Sequence, residues 1–176
     1  MMMWLFHQGI WLVGMNISSN EFWGDYFSSH FGCYASVKNG DIGHLNQFPV
    51  YAMNQTHSNR IALVGDDTCS LLQFNQGKIQ YDSIQCDERD AGYIVESDAL
   101  VTRVENIVLS VKTADCLPIF IVGGDYIAVI HAGRVGTFSS ITRDVCLFFQ
   151  CMDIQAISVW FGPAICVCCY EVDTHT

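Results

Sequence analysis

Three short segments of this 176-residue chain carry side chains that ligate metals or act as nucleophiles: Gln55-Thr56-His57-Ser58, Thr113-Ala114-Asp115-Cys116 and Ile130-His131-Ala132-Gly133. Cys116 lies between two apolar runs and His131 closes the second of them, with Gly123, Gly124 and Asp125 halfway along. Glycine supplies the positive φ of a tight turn, so 117–130 reads as a hairpin that brings thiol and imidazole to one end of neighbouring strands. The remote His57 adds a second imidazole. Two imidazoles and a thiolate are a ligand set for a catalytic zinc site with one position left open for water. The same Cys116–His131 pair also suits a metal-free cysteine hydrolase, in which the histidine activates the thiol. Taken singly these residues are ordinary, because cysteine usually packs as a small hydrophobe and a strand-end histidine is more often hydrogen-bonded than metal-bound.

The elements that must position these groups are mostly strands. Valine- and isoleucine-rich runs bounded by Gly, Asn or Asp occur at 48–53, 60–64, 99–104, 107–111, 117–122, 126–130 and 156–161. Apolar residues recur every three or four positions from Phe138 to Met152, behind a Thr137 suited to capping, which predicts a helix over 137–152. A second helix is expected over 82–94, and the uncharged run 1–20 is expected to form a buried edge strand. The sum is an α/β or α+β domain with a large sheet, and no linker or internal repeat divides residues 1–176.

Composition narrows the function. Eight basic against 18 acidic residues give a net charge of -10, which argues against a nucleic-acid partner, whose phosphates need lysine and arginine. With 51% apolar and 15% charged residues, much surface must be buried within the domain or between copies, so a homo-oligomer is expected. His7, Gln8, Asn16, Ser18 and Ser19 interrupt the N-terminal apolar run, so no membrane span is expected. Nine cysteines are an odd number, and no basic signal region precedes the run. Mostly reduced thiols in the cytoplasm follow as expectations.

QTHS at 55–58, SDALVT at 97–102, TADCLPIF at 113–120, HAGRVGT at 131–137 and FGPAICVCCYEV at 161–172 resemble, in this order, the motifs of the YfiH family. That family is also called the laccase-domain or multicopper polyphenol oxidase family. The resemblance spans residues 51–172 and implies a layered α/β/β/α sandwich with a mixed sheet, similar to the cytotoxic necrotising factor deamidases. It implies zinc-dependent purine nucleoside chemistry: phosphorolysis of adenosine, inosine, guanosine or methylthioadenosine with phosphate as co-substrate, and deamination of adenosine. Copper in the same site underlies the older oxidase description. By this resemblance the metal ligands are His57, Cys116 and His131, with Cys116 and His131 at the centre of catalysis.

The chain departs from the family pattern in two places. Most relatives read HAGWRG, so here Arg134 stands at the tryptophan position and Val135 at the arginine position. The pattern also continues beyond the YEV motif, so its C-terminal part is expected to be missing, and a non-catalytic paralogue becomes a third reading. Arg134 and Arg60 are the candidate substrate-anion ligands. Asp98 and Asp115 are candidates for orienting an imidazole. Cys166, Cys168 and Cys169 lack the spacing of a zinc knuckle and are expected to pack in the core. Gly133 and Gly136 read as a turn, and His7, His30, His44 and His175 as surface or turn residues.

Overall fold

Period-two alternation sends successive side chains of a strand to opposite faces, and here both faces of the central strands are apolar, so two cores form. The structure, a computed structural model, describes residues 9–15, 31–37, 48–66, 68–75, 78–89 and 92–171. Its strands are β1 (Gly9–Met15), β2 (Phe31–Val37), β3 (Val50–Met53), β4 (Ile61–Val64), β5 (Cys69–Asn75), β6 (Lys78–Ile84), β7 (Asp87–Arg89), β8 (Gly92–Val95), β9 (Ala99–Thr102), β10 (Val108–Thr113), β11 (Leu117–Gly123) and β12 (Tyr126–Ala132). Two helices follow, α1 (Arg134–Phe138) and α2 (Ile141–Cys151), and then β13 (Ser158–Phe161). One mixed sheet has the order β2-β1-β10-β3-β8-β7, and a second has the order β13-β11-β12-β9-β4-β5-β6.

The two cores define the layers. Tyr51, Leu109 and Val111 of the first sheet pack with Ala62, Leu100, Phe120, Ile127 and Val129 of the second. On the other face of the second sheet, Val101, Ile121, Ala128 and Ile130 pack under Ile141, Val145, Phe148 and Phe149 of α2. The layered α+β architecture is as expected, its two β layers being the two stacked mixed sheets. Among the described residues a single helical layer, built by α2, is present. None of the described helices is long and apolar enough to cross a membrane.

The hairpin of β11 and β12 forms in the expected place, with Leu117 opposite Ala132, Gly123 opposite Tyr126 and Gly124 at φ +53° in its turn. Other expectations need correction. Among the described residues, the segment 82–94 contains no helix; it supplies the end of β6, then β7 and β8. Strands β6 and β7 are the outer strands of their sheets, and the polar, acidic composition that suggested a helix is that of strands with one side in water. The helix over 137–152 is two helices, because Ser140 adopts a left-handed φ of 68° between them and Thr137 lies inside α1 without capping α2. Phe138, counted in the apolar period, is 83% exposed. Strand β1 is not an edge strand, since it pairs with both β2 and β10. Cys69 and Cys86 form a disulfide that spacing alone did not suggest: the β5–β6 register sets Cys69 opposite Ile84, two residues from Cys86. The Cys69–Cys86 bridge runs against the expectation of reduced thiols, while Cys116, Cys146, Cys151, Cys166, Cys168 and Cys169 are unbridged.

Candidate metal centre

Four strand ends meet at one end of the seven-stranded sheet. Cys116 immediately precedes β11, His131 is the penultimate residue of β12, Asp98 immediately precedes β9, and the segment 54–60 leads into β4. The register ties them together: Pro118 faces His131, Ile130 faces Ala99, and Ala99 faces Ile61. Alternation puts His131 on the side of Ile127 and Val129, so its imidazole sits at the mouth of the space between the sheets. The ligand atoms of His57, Cys116 and His131 all lie within 4.8 Å of one another. Adjacent ligand atoms of a tetrahedral metal with bonds of about 2.0–2.3 Å stand roughly 3.5 Å apart. Small rotamer adjustments close the difference.

Asp98, fully buried, holds this arrangement together. Its Oδ1 lies 2.9 Å from His131 Nδ1 and accepts the His57 amide at 3.0 Å. Its Oδ2 accepts the Ser58 hydroxyl at 2.6 Å, the Ser58 amide at 2.7 Å and the Thr56 amide at 3.2 Å. Burial pushes the Asp98 carboxyl upward, but hydrogen bonds from His131, Ser58 and the two amides outweigh it and hold it well below the usual carboxylate range. An ionised carboxylate only accepts, so Nδ1 of His131 carries the proton and its Nε2 lone pair is left for a metal. The same hydrogen bonds fold the 55–58 segment over His131. His57 adopts a left-handed φ of 58° for this, a strain of about 1 kcal/mol. Gln55 clamps the segment to β10 through Nε2 to the Lys112 carbonyl at 2.8 Å and Oε1 from the Lys112 amide at 2.9 Å.

Gly133 leaves the cradle open. A Cβ there would lie 3.1 Å from Cys116 Sγ, 3.1 Å from His57 Cδ2 and 3.6 Å from His131 Cε1. Gly133 precedes α1 as its N-cap and Gly136 lies within it, so only the first belongs to the expected turn. At Gly136 a Cβ would sit 2.8 Å from the Ser58 carbonyl oxygen, so the helix presses directly on the histidine segment. Burial raises the Cys116 thiol, and the nearby Asp115 and Asp98 charges raise it further. A divalent cation reverses that balance and deprotonates a thiol that ligates it. Donor types, spacing and the space above Gly133 therefore fit a bound metal ion.

The remaining sequence candidates separate clearly. Asp98 orients an imidazole, whereas Asp115 is exposed and joins the site through its backbone, its carbonyl accepting the Ile165 amide at 3.0 Å. Arg60 ion-pairs with Glu96 and lines a groove with Leu72, Arg143, Asp144 and Leu147 that contains none of the three cluster residues. Arg134 is exposed at the first position of α1, next to Gly133. Cys166, Cys168 and Cys169 are exposed in a turn after β13, which corrects their expected core packing. His7, His30, His44 and His175 lie outside the described residues. The bracing roles of Gln55, Thr56 and Ser58 were missed by sequence reasoning. Their one signal was a run of hydrogen-bonding residues around a histidine.

Residues 40–176 match the family described as multi-copper polyphenol oxidoreductase laccase. The chain belongs to the laccase-domain family. An adenosine deaminase from an unknown prokaryotic organism is 35% identical over 122 residues, covering 67% of this chain and 41% of that protein. A purine nucleoside phosphorylase from Haemophilus influenzae is 39% identical over 77 residues, covering 43% of this chain and 31% of that one. Among solved structures, the hypothetical protein YfiH of Bacillus licheniformis superposes with a TM-score of 0.54 at 27% identity, covering 74% of this chain and 45% of that chain. YlmD from Geobacillus stearothermophilus shares the fold at the same TM-score of 0.54. This laccase-domain chain thus spans less than half the length of the relatives it matches.

Proposed function

We propose that this laccase-domain chain is a metal-dependent purine nucleoside enzyme that holds zinc, or copper in the same ligands, through His57, Cys116 and His131. The observation that carries this reading is the convergence of those three ligand atoms within 4.8 Å around a histidine whose other nitrogen is held by buried Asp98. The names of the relatives, an adenosine deaminase and purine nucleoside phosphorylases, support a purine nucleoside as the substrate class. The reactions are phosphorolysis of adenosine, inosine, guanosine or methylthioadenosine, and deamination of adenosine. When bound, the metal supplies a Lewis acid and a water ionised near neutral pH. Asp98 keeps the His131 proton on Nδ1, so that Nε2 stays a ligand throughout. Gly133 keeps the space beside the ligands clear for substrate. Arg134, adjoining Gly133, is the cation for phosphate; Arg60, already paired with Glu96, is the weaker candidate.

The metal-free cysteine hydrolase is disfavoured by Cys116 itself, because burial raises its thiol where a nucleophile needs a lowered one. Exposed apolar side chains such as Phe138 and Val167 support self-association as the state of the active protein. The decisive experiment is metal analysis of protein purified without added metal, followed by incubation with adenosine in the presence and absence of phosphate. Adenine formed only with phosphate identifies phosphorolysis, and inosine identifies deamination. Protein that neither holds metal nor turns over any of the nucleosides is the non-catalytic paralogue, and the proposal fails.

A further inference from the structure

Between β6 and β7, the outer strands of the two sheets, the chain crosses from the second sheet to the first. Cys86 lies in that crossover, and Cys69 opens β5 opposite Ile84 of β6. A disulfide joins the two cysteines across 17 positions and pins the crossover to β5. Cys69 is 2% exposed within the core between the sheets, whereas Cys86 is only half-buried. Both border a groove of about 550 Å³ whose lining includes Asp66, Asp87 and Glu88, backed by the rings of Tyr51 and Tyr93 stacked 4.7 Å apart. Among the described residues no lysine or arginine lines it.

We propose that the Cys69–Cys86 bridge is a thiol–disulfide exchange site, opened from this groove through the Cys86 sulfur and selective against anionic thiols. Exchange requires a sulfur that an attacking thiolate can reach, so access decides which of the two is struck. Only Cys86 offers it. Carboxylates from Asp66, Asp87 and Glu88, with no basic side chain among them, make the groove a negative cleft that lowers the local concentration of anions and spares zwitterions. The site therefore takes small thiols that carry an ammonium group in preference to those that carry a sulfonate or carboxylate.

The thiolate sulfur of one small thiol bonds to Cys86 Sγ as the Cys69–Cys86 bond breaks, and the departing Cys69 sulfur takes a proton from water. A second small thiolate then bonds to the sulfur of the first and releases Cys86, which is protonated in turn. Two small thiols become one small disulfide, and the two cysteines gain two electrons and two protons. Opening the bridge frees the crossover and leaves the candidate metal centre in place. Cys69 pairs with Val64, at the end of β4 remote from Ile61, where the segment 54–60 enters.

The test uses the full chain purified without reductant. Free thiols are alkylated, and cysteamine, 2-mercaptoethanol or 2-mercaptoethanesulfonate is then added in separate samples. Newly released thiols receive a second label, and the peptides carrying Cys69 and Cys86 are weighed by mass spectrometry. At low ionic strength cysteamine should open the bridge about tenfold faster, per thiolate, than the sulfonate, and the gap should close at about 1 M salt, where the screening length is about 3 Å. The first adduct should sit on Cys86, and Asp66→Asn, Asp87→Asn and Glu88→Gln together should remove the gap between reagents. Unalkylated protein reduced in this way, like Cys86→Ser, should melt about 6 to 12 °C lower with its metal content unchanged. The proposal is overturned if Cys69 and Cys86 take the first label, if the reagents act at one rate, if the first adduct is on Cys69, or if opening the bridge strips bound metal. Exchange rates and melting follow the bridge alone, so a wild type without metal would sink the proposed function and not this site.

Discussion

Cys116 and Cys166 carry the same side chain on segments joined by one backbone hydrogen bond, from the Ile165 amide to the Asp115 carbonyl, and their surroundings are opposite. Cys116 is half-buried between two imidazoles with carboxylates nearby, so its thiolate is disfavoured until a cation arrives. Cys166 is exposed on a turn closed by the Cys169 amide donating to the Cys166 carbonyl at 2.9 Å, with no imidazole or carboxylate beside it among the described residues. Reactivity follows from what surrounds a thiol rather than from the residue type. The contrast extends to support: the first region is braced by a buried carboxylate accepting from four residues, and the second by a single turn hydrogen bond.

Removing the thiol at each place should separate the two regions most sharply. Cys116→Ser is expected to take metal content from about one ion per chain to below about a tenth and to lower nucleoside turnover by roughly a thousandfold or more, because a hydroxyl is a poor ligand. Elemental analysis and product assays on the purified variant check this, and full metal occupancy would remove Cys116 from the site.

Next in size is Asp98. Asp98→Ala strands the Thr56, His57 and Ser58 amides and the His131 ring, and is expected to cost about 3 kcal/mol in urea unfolding. The milder Asp98→Asn should weaken metal binding by about 10- to 100-fold. Because the Asp98 carboxyl titrates lower in the folded chain than in the unfolded one, its contribution to stability is present at neutral pH and fades as the pH falls below about 4. The stability gap between wild type and Asp98→Asn should narrow over that acidic range and stay constant from pH 5 to 7.

Gly133→Ala tests the cradle with one methyl group. The added carbon meets Cys116 and His57 at 3.1 Å, so metal affinity should fall by about tenfold while the melting midpoint moves by only a few degrees. Unchanged affinity would mean that the ligands close elsewhere. Arg134→Ala is expected to weaken phosphorolysis by about tenfold and deamination far less, since only the former takes a phosphate; equal losses would remove Arg134 from phosphate binding. The smallest effect belongs to the second region: Cys166→Ser should leave metal content unchanged, and a lowered content would show that the two sulfur regions are not independent.

Much of the site was legible before any coordinates. Each proposed ligand ends or adjoins an apolar strand, and the hairpin between Cys116 and His131 is encoded by two β-type runs around Gly123 and Gly124. The edge strands were harder to read. In β6 and β7 most of the described side chains face water, so little apolar periodicity remains to distinguish a strand from a polar helix. Ser140 likewise gives no local sign of the left-handed turn that splits the helical period. The exposure of Cys166, Cys168 and Cys169 ran against the usual burial of cysteine, a statistical preference that a surface turn overrides.

What the amino-acid order determined by itself is the inventory of reactive groups and the local elements that end in them, because turn chemistry and alternation act over a few residues. Only the tertiary structure decided that Asp98, rather than Asp115, reaches His131, and that Arg60 turns to Glu96 rather than to the candidate metal centre. Those choices depend on which strands become neighbours. The parallel pairing of β4 with β9 and the antiparallel pairing of β9 with β12 bring residues about 25 to 38 positions apart into contact, and a long-range pairing of this kind is written in no single segment.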